Sequence, residues 1–145
     1  MEYRVVNPAE GLRQSRALVN ANWAETGFDF PFDPDVDAYQ RMFDAGIAFA
    51  VGAFDGDQAV GYCVVVVTAH PHCRGLLFGS NDALFVAPER RNTMVPGRLI
   101  LMAEAEAKRR GAKRFTWHCR AGTALADLLA RHGYAPVDQV VMREI

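Results

Sequence analysis

Three arginines flank a turn between a predicted strand and a predicted helix, and their spacing suits the binding of an anion. Arg90 and Arg91 precede the helix, and Arg98 lies in its first turn. The first N–H groups of a helix lack intrahelical acceptors, and the helix dipole places partial positive charge at the same end. Guanidinium groups add formal charge and paired hydrogen bonds. The segment therefore predicts a site for a phosphorylated ligand.

The elements around this turn form a strand–loop–helix–strand unit. Leu84-Phe85-Val86 reads as the first strand, residues 96–110 as a long helix that stops at Gly111, and residues 113–118 as the second strand. Two strands joined by such a crossover must run parallel, and the crossover is expected to be right-handed.

Upstream of this unit, a strand over residues 3–6 precedes two helices. The first helix begins at Asn7-Pro8, an N-cap followed by proline at the first helical position, and extends to about Glu25. The second opens at Asp33-Pro34 and ends at Gly46.

A hairpin then joins strands over residues 47–54 and 58–68 through the turn Asp55-Gly56-Asp57. Residues 75–86 return as another strand, with an irregularity expected at Gly79-Ser80-Asn81.

After the crossover unit, the sequence predicts a last helix over residues 123–132 and closing strand structure over 134–145. The resulting order, β-α-α-β-β-β-α-β-α-β, predicts an α/β (α+β) fold. We expect a single, mixed, mostly antiparallel sheet flanked by helices, formed by one domain over residues 1–145.

Bulk composition sets further expectations. The net charge of −1 gives no general drive towards nucleic acid or a membrane. The cysteines, Cys63, Cys73 and Cys119, are odd in number and form no C-x-x-C pair, which favours a reducing cytoplasm over a disulfide scaffold. The N-terminus does not read as a signal peptide.

Histidines and cysteines recur in two loops and raise the question of a metal. His70, His72 and Cys73 lie in one loop, and His118 and Cys119 in another. Zinc sites use such residues, but the spacing matches no metal-binding motif. We expect no metal, and a metal-dependent hydrolase is the third-ranked hypothesis.

The element order and the loop after Val86 resemble the GNAT superfamily of N-acetyltransferases over nearly the whole chain. The family has a strand ending in Val-x-Pro and then (Arg/Gln)-x-x-Gly-x-(Gly/Ala) at the start of a long helix. Here the run begins Val86-Ala87-Pro88 and continues through residues 89–96. A later helix ends in Gly133-Tyr134, similar to the family's Gly-Phe. The C-terminal half is also similar to members carried by bacteriophages and prophages.

The resemblance implies an acetyl-CoA site, with a loop that departs from the family pattern. Met94 and Pro96 replace both loop glycines. Pro96 has no N–H to offer, and Met94 is expected to adopt backbone angles that glycine usually supplies. Gly97 lets a ligand approach closely, so we expect CoA binding to survive in weakened form. The residues implied in cofactor binding are Phe85, Val86, Arg91, Asn92, Thr93, Met94, Val95, Gly97 and Arg98.

Asp82 and His118 are the candidate catalytic residues. Asp82 precedes Val86 on the cofactor strand, where the family often places an acidic group, and it is either a base or a turn carboxylate. His118 ends the neighbouring strand, where an imidazole can serve as an acid or base, and it is either catalytic or tucked beside Trp117.

The group that would protonate the departing thiolate is missing. Many family members have a tyrosine where this chain has Leu129, and an asparagine is common where Gly122 stands. Tyr62 or Cys119 could take over the acid's role, although neither has supporting spacing.

The loop over residues 27–33 is the expected acceptor wall. Phe28, Phe30 and Phe32 lie in this loop with Asp29 and Asp33, and aromatic faces with carboxylates suit a cationic amine. The alternative is that the three rings close the edge of the core.

These observations and the resemblance predict an acetyl-CoA-dependent N-acetyltransferase in which a primary amine attacks the thioester directly. The acceptor is a small-molecule or peptide amine. The alternative is a catalytically silent GNAT-fold module that binds a protein partner or CoA without turnover. The apolar stretch over residues 137–142 could pair across a homodimer.

Overall fold

The computed structural model describes all 145 residues, and five strands form its central sheet. In chain order they are β1 (Glu2–Val6), β2 (Ala48–Asp55), β3 (Gln58–Ala69), β4 (Leu77–Val86) and β5 (Ala112–Thr116). The strands lie side by side in this same order. The first three pairs are antiparallel and β4 pairs with β5 in parallel, so the predicted mixed, mostly antiparallel sheet is confirmed.

Five helices accompany the sheet. They are α1 (Pro8–Gln14), α2 (Arg16–Thr26), α3 (Val36–Asp44), α4 (Val95–Arg109) and α5 (Ala124–Arg131). The single helix predicted after β1 is in fact two, because Ser15 leaves helical geometry at φ −114° and ψ 41°. None of the helices is long and apolar enough to cross a membrane.

The main core lies between α4 and one face of the sheet. Phe49 and Val51 of β2 and Val65 of β3 are fully buried there against Leu99 and Ala103 of α4. Helices α1 and α2 contact β2 and β3 through other residues. The crossover helix is thus fixed on the sheet, which positions the loop that precedes it.

Strand β4 contains an extra residue, and this irregularity shapes the site. Val64 lies opposite Ala83 while Val65 lies opposite Asn81, so Asp82 has no partner on β3 and forms a β-bulge. The pairing of β4 with β5 ends at Ser80. Residues 81–86 therefore form a strand edge that no other strand covers.

The predicted closing strand structure over residues 134–145 is wrong, because the structure has no helix or strand after α5. Val137, Val140, Val141 and Met142 have exposed fractions between 77% and 87%. β-Branched residues favour a strand only where a neighbouring strand gives them a surface to pack on, and these side chains have none. A homodimer through this stretch stays a prediction.

Candidate active site

A cleft of about 250 Å³ opens between α2, α3 and the middle of the sheet. It is mostly aromatic and contains one carboxylate. Its lining residues are Val19, Asn22, Trp23, Thr26, Phe28, Phe32, Tyr39, Tyr62, Asp82 and Ala83. The cleft thus contains Asp82 together with two of the three phenylalanines that the sequence marked as an acceptor wall.

The Asp82 carboxylate is oriented by a phenol. The Tyr39 hydroxyl donates a hydrogen bond of 2.5 Å to Asp82 Oδ2. Burial raises the pKa of Tyr39 well above its usual range, and the Asp82 carboxylate raises it further. Tyr39 therefore remains protonated, and its proton is committed to Asp82. The sequence placed Tyr39 only on the apolar face of a helix, since nothing in the spacing indicates where its hydroxyl points.

A second phenol in the cleft keeps its proton free. Asn22 Nδ2 donates a 2.7 Å hydrogen bond to the Tyr62 hydroxyl oxygen. Burial raises the pKa of Tyr62 to about 12, although the bond from Asn22 lowers it and the charge on Asp82 raises it. Because Asn22 is the donor, the Tyr62 O–H can still donate to another group.

The aromatic wall is a cluster centred on Trp23. The Trp23 ring stacks on Phe28 at 5.4 Å and on Phe32 at 5.2 Å between centroids. Phe30 packs against Trp23 and Phe28 but does not line the cleft, and 54% of it is exposed. The three rings thus pack around Trp23 while Phe28 and Phe32 also line the cleft, and their role as an acceptor wall stays a prediction.

The side chain of His118 does not lie in the cleft with Asp82. Its main-chain N–H donates to Asn81 Oδ1 at 2.6 Å, and its carbonyl accepts from Asn81 Nδ2 at 3.1 Å. Residue 118 lies beyond the end of β5, its side chain is exposed, and it is not among the cleft residues. The two candidate catalytic residues are separated because β4 and β5 diverge between them.

The open edge of β4 offers main-chain groups at alternate residues. The Ala87 N–H donates to Val60 O at 2.9 Å, so strand alternation directs the amide of Phe85 towards β3 as well. The amides of Leu84 and Val86 then face the gap beside β5. Of the two strand residues named for cofactor binding, Phe85 therefore directs its main-chain groups to β3 and Val86 directs its own to the open edge. Leu84 was missed because the sequence does not reveal which residues face which edge.

The loop before α4 forms without glycine. Met94 has φ −74° and ψ −8°, and no residue other than glycine has a positive φ. The expectation that Met94 needs glycine-like angles is wrong. Its side chain is 73% exposed, so it does not pack into the turn.

Several amide groups of this loop remain available. The N–H groups of Asn92, Met94 and Gly97 have no acceptor in the protein. The N–H of Thr93 bonds to Arg90 O at 3.3 Å, and that of Val95 bonds to Thr93 Oγ1 at 3.2 Å. The loop therefore uses two of its amides to hold its shape and presents three.

The three arginines near the start of α4 differ in whether they already have a partner within the protein. Arg91 donates to Val86 O at 2.9 Å and to Glu25 Oε1 at 2.6 Å, and Arg90 forms an ion pair with Asp55. Arg98 is exposed and has no ion-pair partner. Arg98 is thus the free cation at the start of α4.

The side chains of Leu129 and Tyr134, near the end of α5, are both held by contacts within the protein. Leu129 is 5% exposed and belongs to the buried side of the helix. The Tyr134 hydroxyl donates to Glu104 Oε1 at 2.7 Å, and Trp117 Nε1 donates to the same oxygen at 2.8 Å. Burial and then Glu104 raise the pKa of Tyr134 to about 12. Tyr134 therefore directs its proton to Glu104.

The histidine-rich loop is accounted for by packing. The His70 ring lies 4.9 Å from Phe78, and its Nδ1 accepts from the His72 N–H at 3.2 Å. No three His, Cys, Asp or Glu side chains are grouped so as to hold a metal ion.

A mixed sheet that splits beside a long crossover helix, with free amides at the helix start, is the architecture of the GNAT-type acyltransferases. The sequence model of the Acetyltransferase (GNAT) family matches residues 16–134, and the chain belongs to that family. The protein is thus an acyltransferase by family. No curated protein sequence matches the chain.

Solved structures share the fold along the full chain. The ribosomal-protein-alanine N-acetyltransferase from Brucella melitensis biovar Abortus 2308 is 18% identical with a TM-score of 0.72, covering 99% of this chain and 100% of that one. The aminoglycoside acetyltransferase meta-AAC0020 from an uncultured soil metagenomic sample, in complex with sisomicin, is 15% identical with a TM-score of 0.75. The match covers 99% of this chain and 94% of that one.

A third relative was solved with the cofactor. The aminoglycoside N-acetyltransferase AAC(6')-Iy, in complex with CoA, is 14% identical with a TM-score of 0.73, covering 99% of this chain and 98% of that one.

Proposed function

We propose that the protein transfers the acetyl group of acetyl-CoA to a primary amine by direct attack of the amine on the thioester. One observation carries the proposal: β4 connects an anion-binding loop at one end to an aromatic cleft with a carboxylate at the other. Asp82 and Val86 are four residues apart, which is about 13 Å along a strand. An extended pantetheine arm along this edge would place its thioester beside the cleft.

The residues fit CoA without rearrangement of the backbone. Asn92, Met94 and Gly97 would hold the pyrophosphate through their free amides, and Arg98 would supply charge. Thr93 and Val95 would keep the loop in shape through their internal hydrogen bonds.

The pantetheine arm would bind as an added strand. Leu84 and Val86 would pair with it through their edge-facing main-chain groups, and one of their N–H groups would polarise the thioester carbonyl. Arg91 would contribute to pyrophosphate binding once it leaves Glu25.

Acetyl-CoA supplies an acetyl group activated as a thioester. Asp82 accepts one proton from the ammonium of the acceptor and passes it to water, since the carboxylate is exposed. The free amine then attacks, and the nitrogen loses its second proton to Asp82 or water as the C–S bond breaks. Tyr62 donates its proton to the departing sulfur and regains one from water. The net products are an acetamide, a free thiol and one proton. His118 is the alternative base.

Calorimetric titration with acetyl-CoA tests the cofactor site, and we expect a dissociation constant between about 1 μM and 1 mM. An Arg98→Glu variant should bind at least about tenfold more weakly, while Arg13→Glu on α1 serves as the matched control. Absence of binding at millimolar acetyl-CoA would overturn the proposal.

Release of CoA in the presence of primary amines tests the reaction. Binding of CoA without turnover on any amine would instead support the catalytically silent module, for which the buried Leu129 in place of the usual tyrosine is the specific argument.

A further inference from the structure

Resting on the proposed function, we infer that the acceptor is a primary amine with a single ammonium on an apolar, preferably aromatic, body, and not a polycation. The inference rests on three properties of the cleft between α2, α3 and the sheet: its charge, the pairing of its polar groups, and its size.

The cleft has one charged group. Asp82 is the only carboxylate among its lining residues, and no lysine or arginine lines it. One ammonium can therefore be neutralised beside the bulge of β4. Tyr39 and Tyr62 line the same cleft, and the Tyr39 hydroxyl holds the carboxylate in place.

Charges near the mouth do not favour a second ammonium. Glu25, which is paired with Arg91 at 2.6 Å, is not among the residues that line the cleft, so it does not face the acceptor even when Arg91 turns to the cofactor. The guanidinium of Arg120 lies 5.3 Å from the centre of the Phe28 ring, which places a cation at the rim. Asp29 and Asp33 are exposed to water and do not line the cleft. A second ammonium would find no carboxylate in the lining besides Asp82, and it would be repelled by the Arg120 cation near Phe28.

Most of the polar lining groups already have a partner within the protein, and the exception is the Tyr62 O–H, which the proposed reaction uses for the departing sulfur. Tyr39 bonds to Asp82, and Asn22 bonds to Tyr62. The Thr26 hydroxyl donates to the Trp23 carbonyl at 2.7 Å. A polyhydroxylated acceptor would lose its hydrogen bonds to water here and find few replacements. An apolar body loses nothing of this kind and gains contact with the rings.

The wall and the volume favour one ring. Trp23 is stacked between Phe28 and Phe32 with interplanar angles of 28° on each side, so the wall can extend by stacking on a further ring. The volume of about 250 Å³ equals about eight water molecules. That space suits a single ring with a short amine arm.

The test compares CoA release with four amines: 2-phenylethylamine, hexylamine, spermidine and sisomicin. We expect kcat/KM for 2-phenylethylamine to exceed that for spermidine and for sisomicin by at least about tenfold, with hexylamine between them. Faster turnover of spermidine or sisomicin than of 2-phenylethylamine would overturn this inference and leave the proposed function standing. No turnover with any amine would overturn both.

Two variants test the physical basis. Trp23→Leu should lower kcat/KM for 2-phenylethylamine by at least about tenfold and for hexylamine by less, because Phe28 and Phe32 lose the ring that holds them in position to stack on the acceptor. Arg120→Glu should raise the ratio of spermidine to 2-phenylethylamine turnover by at least about fivefold. Arg131→Glu on the exposed side of α5 is the matched control, and its ratio should equal that of the parent. An unchanged ratio in Arg120→Glu, or equal losses for both amines in Trp23→Leu, would contradict the inference.

Discussion

The side-chain amide of Asn81 forms two hydrogen bonds with the main chain of His118, donating to its carbonyl at 3.1 Å and accepting from its N–H at 2.6 Å. Asn81 is 5% exposed and follows Ser80, the last residue of β4 that pairs with β5. Its amide imitates a peptide group and extends the sheet by one step. The strands then separate, and Asp82 follows at the bulge. The position of the open edge is thus fixed by one buried side chain.

Replacing Asn81 should weaken the fold at this point. In Asn81→Leu the N–H and C=O of residue 118, which are bonded to Asn81 in a partly buried position, lose their partners, so we expect the free energy of unfolding to fall by about 1–3 kcal/mol. Urea denaturation measures it, with Asn20→Leu on the exposed side of α2 as the control, expected within about 0.5 kcal/mol of the parent. A loss for Asn81→Leu no larger than that of the control would show that other contacts fix the strand separation.

The loop before α4 should gain nothing from the family's glycine. Met94 already has right-handed helical angles and an exposed side chain, so Met94→Gly relieves no strain. We expect the affinity for acetyl-CoA to change by less than about threefold. Stability should fall by up to about 1 kcal/mol, because glycine makes the unfolded chain more flexible. Calorimetry and denaturation check the two values, and a tenfold gain in affinity would show that Met94 does distort the loop.

The order of the elements was predictable because each carries a local signal. Asn7-Pro8 marks a helix start, and Asp55-Gly56-Asp57 marks a hairpin. The crossover helix was predicted to within a residue at each end. The failures lie where local signals are weak. The break at Ser15 has no spacing signature, and residues 134–145 have strand-forming side chains without a strand to pair with.

The candidate site was predictable only in part because it depends on register. The sequence marked Asp82, Phe28 and Phe32, and the structure brings them to one cleft. It could not show that Tyr39 reaches Asp82, since their contact joins residues 43 positions apart. It also placed His118 near Asp82, because the separation of β4 and β5 follows from the bulge and from Asn81. An asparagine with strand residues on both sides was the one available signal of that contact.

The ion pair of Arg91 with Glu25 should compete with cofactor binding. Arg91 donates to Glu25 at 2.6 Å, and a pyrophosphate must draw the same guanidinium away. We expect Glu25→Gln to strengthen acetyl-CoA binding by about two- to fivefold, since an exposed ion pair is worth up to about 1 kcal/mol. Arg91→Glu should weaken binding by at least about tenfold.

Calorimetry with acetyl-CoA measures both effects, and Arg13→Glu is the charge-matched control for Arg91→Glu. Equal affinity in the parent and in Arg91→Glu would place the pyrophosphate elsewhere. Weaker binding by Glu25→Gln than by the parent would show that the ion pair organises the site instead of competing with it.

Asp82 and Tyr39 should differ in their effect on turnover. Asp82→Asn removes the proton acceptor, so we expect kcat to fall by about 100-fold or more while the affinity for acetyl-CoA is retained. Tyr39→Phe keeps the carboxylate but removes the hydrogen bond that orients it. Because the carboxylate is then less firmly oriented, we expect kcat to fall by about tenfold, which is less than in Asp82→Asn.

Steady-state kinetics with acetyl-CoA and a primary amine separate the two roles, and Tyr3→Phe in β1 is the control for removal of a phenol. If Asp82→Asn retained full turnover, His118 would become the leading candidate base. An unchanged kcat in Tyr39→Phe would show that Tyr39 only packs.

Glu106 should make the fold sensitive to acid. Its carboxylate accepts hydrogen bonds from Arg109 at 2.6 Å and from Arg110 at 2.8 Å, and its side chain is only 10% exposed. The hydrogen bond from Arg109 has the largest effect on the pKa of Glu106. Together with the bond from Arg110 it outweighs burial, which raises the pKa, and the pKa falls to about 2. In the unfolded chain a glutamate titrates near about 4.3. The contribution to stability is therefore fully present above about pH 4.3 and is lost as pH falls towards 2.

We expect Glu106→Gln to lower the free energy of unfolding by about 1–2 kcal/mol at pH 7, a value reduced because the Arg109 partner is exposed to solvent. The same variant should lose less stability than the parent between about pH 4.3 and 2. Denaturant unfolding at a series of pH values measures both, with Glu144→Gln in the exposed C-terminal stretch as the control. If the free energy of unfolding fell with pH equally in the parent and in Glu106→Gln, the arginines would hold the helix end without a net charge interaction. Acid sensitivity would then have to arise from other carboxylates.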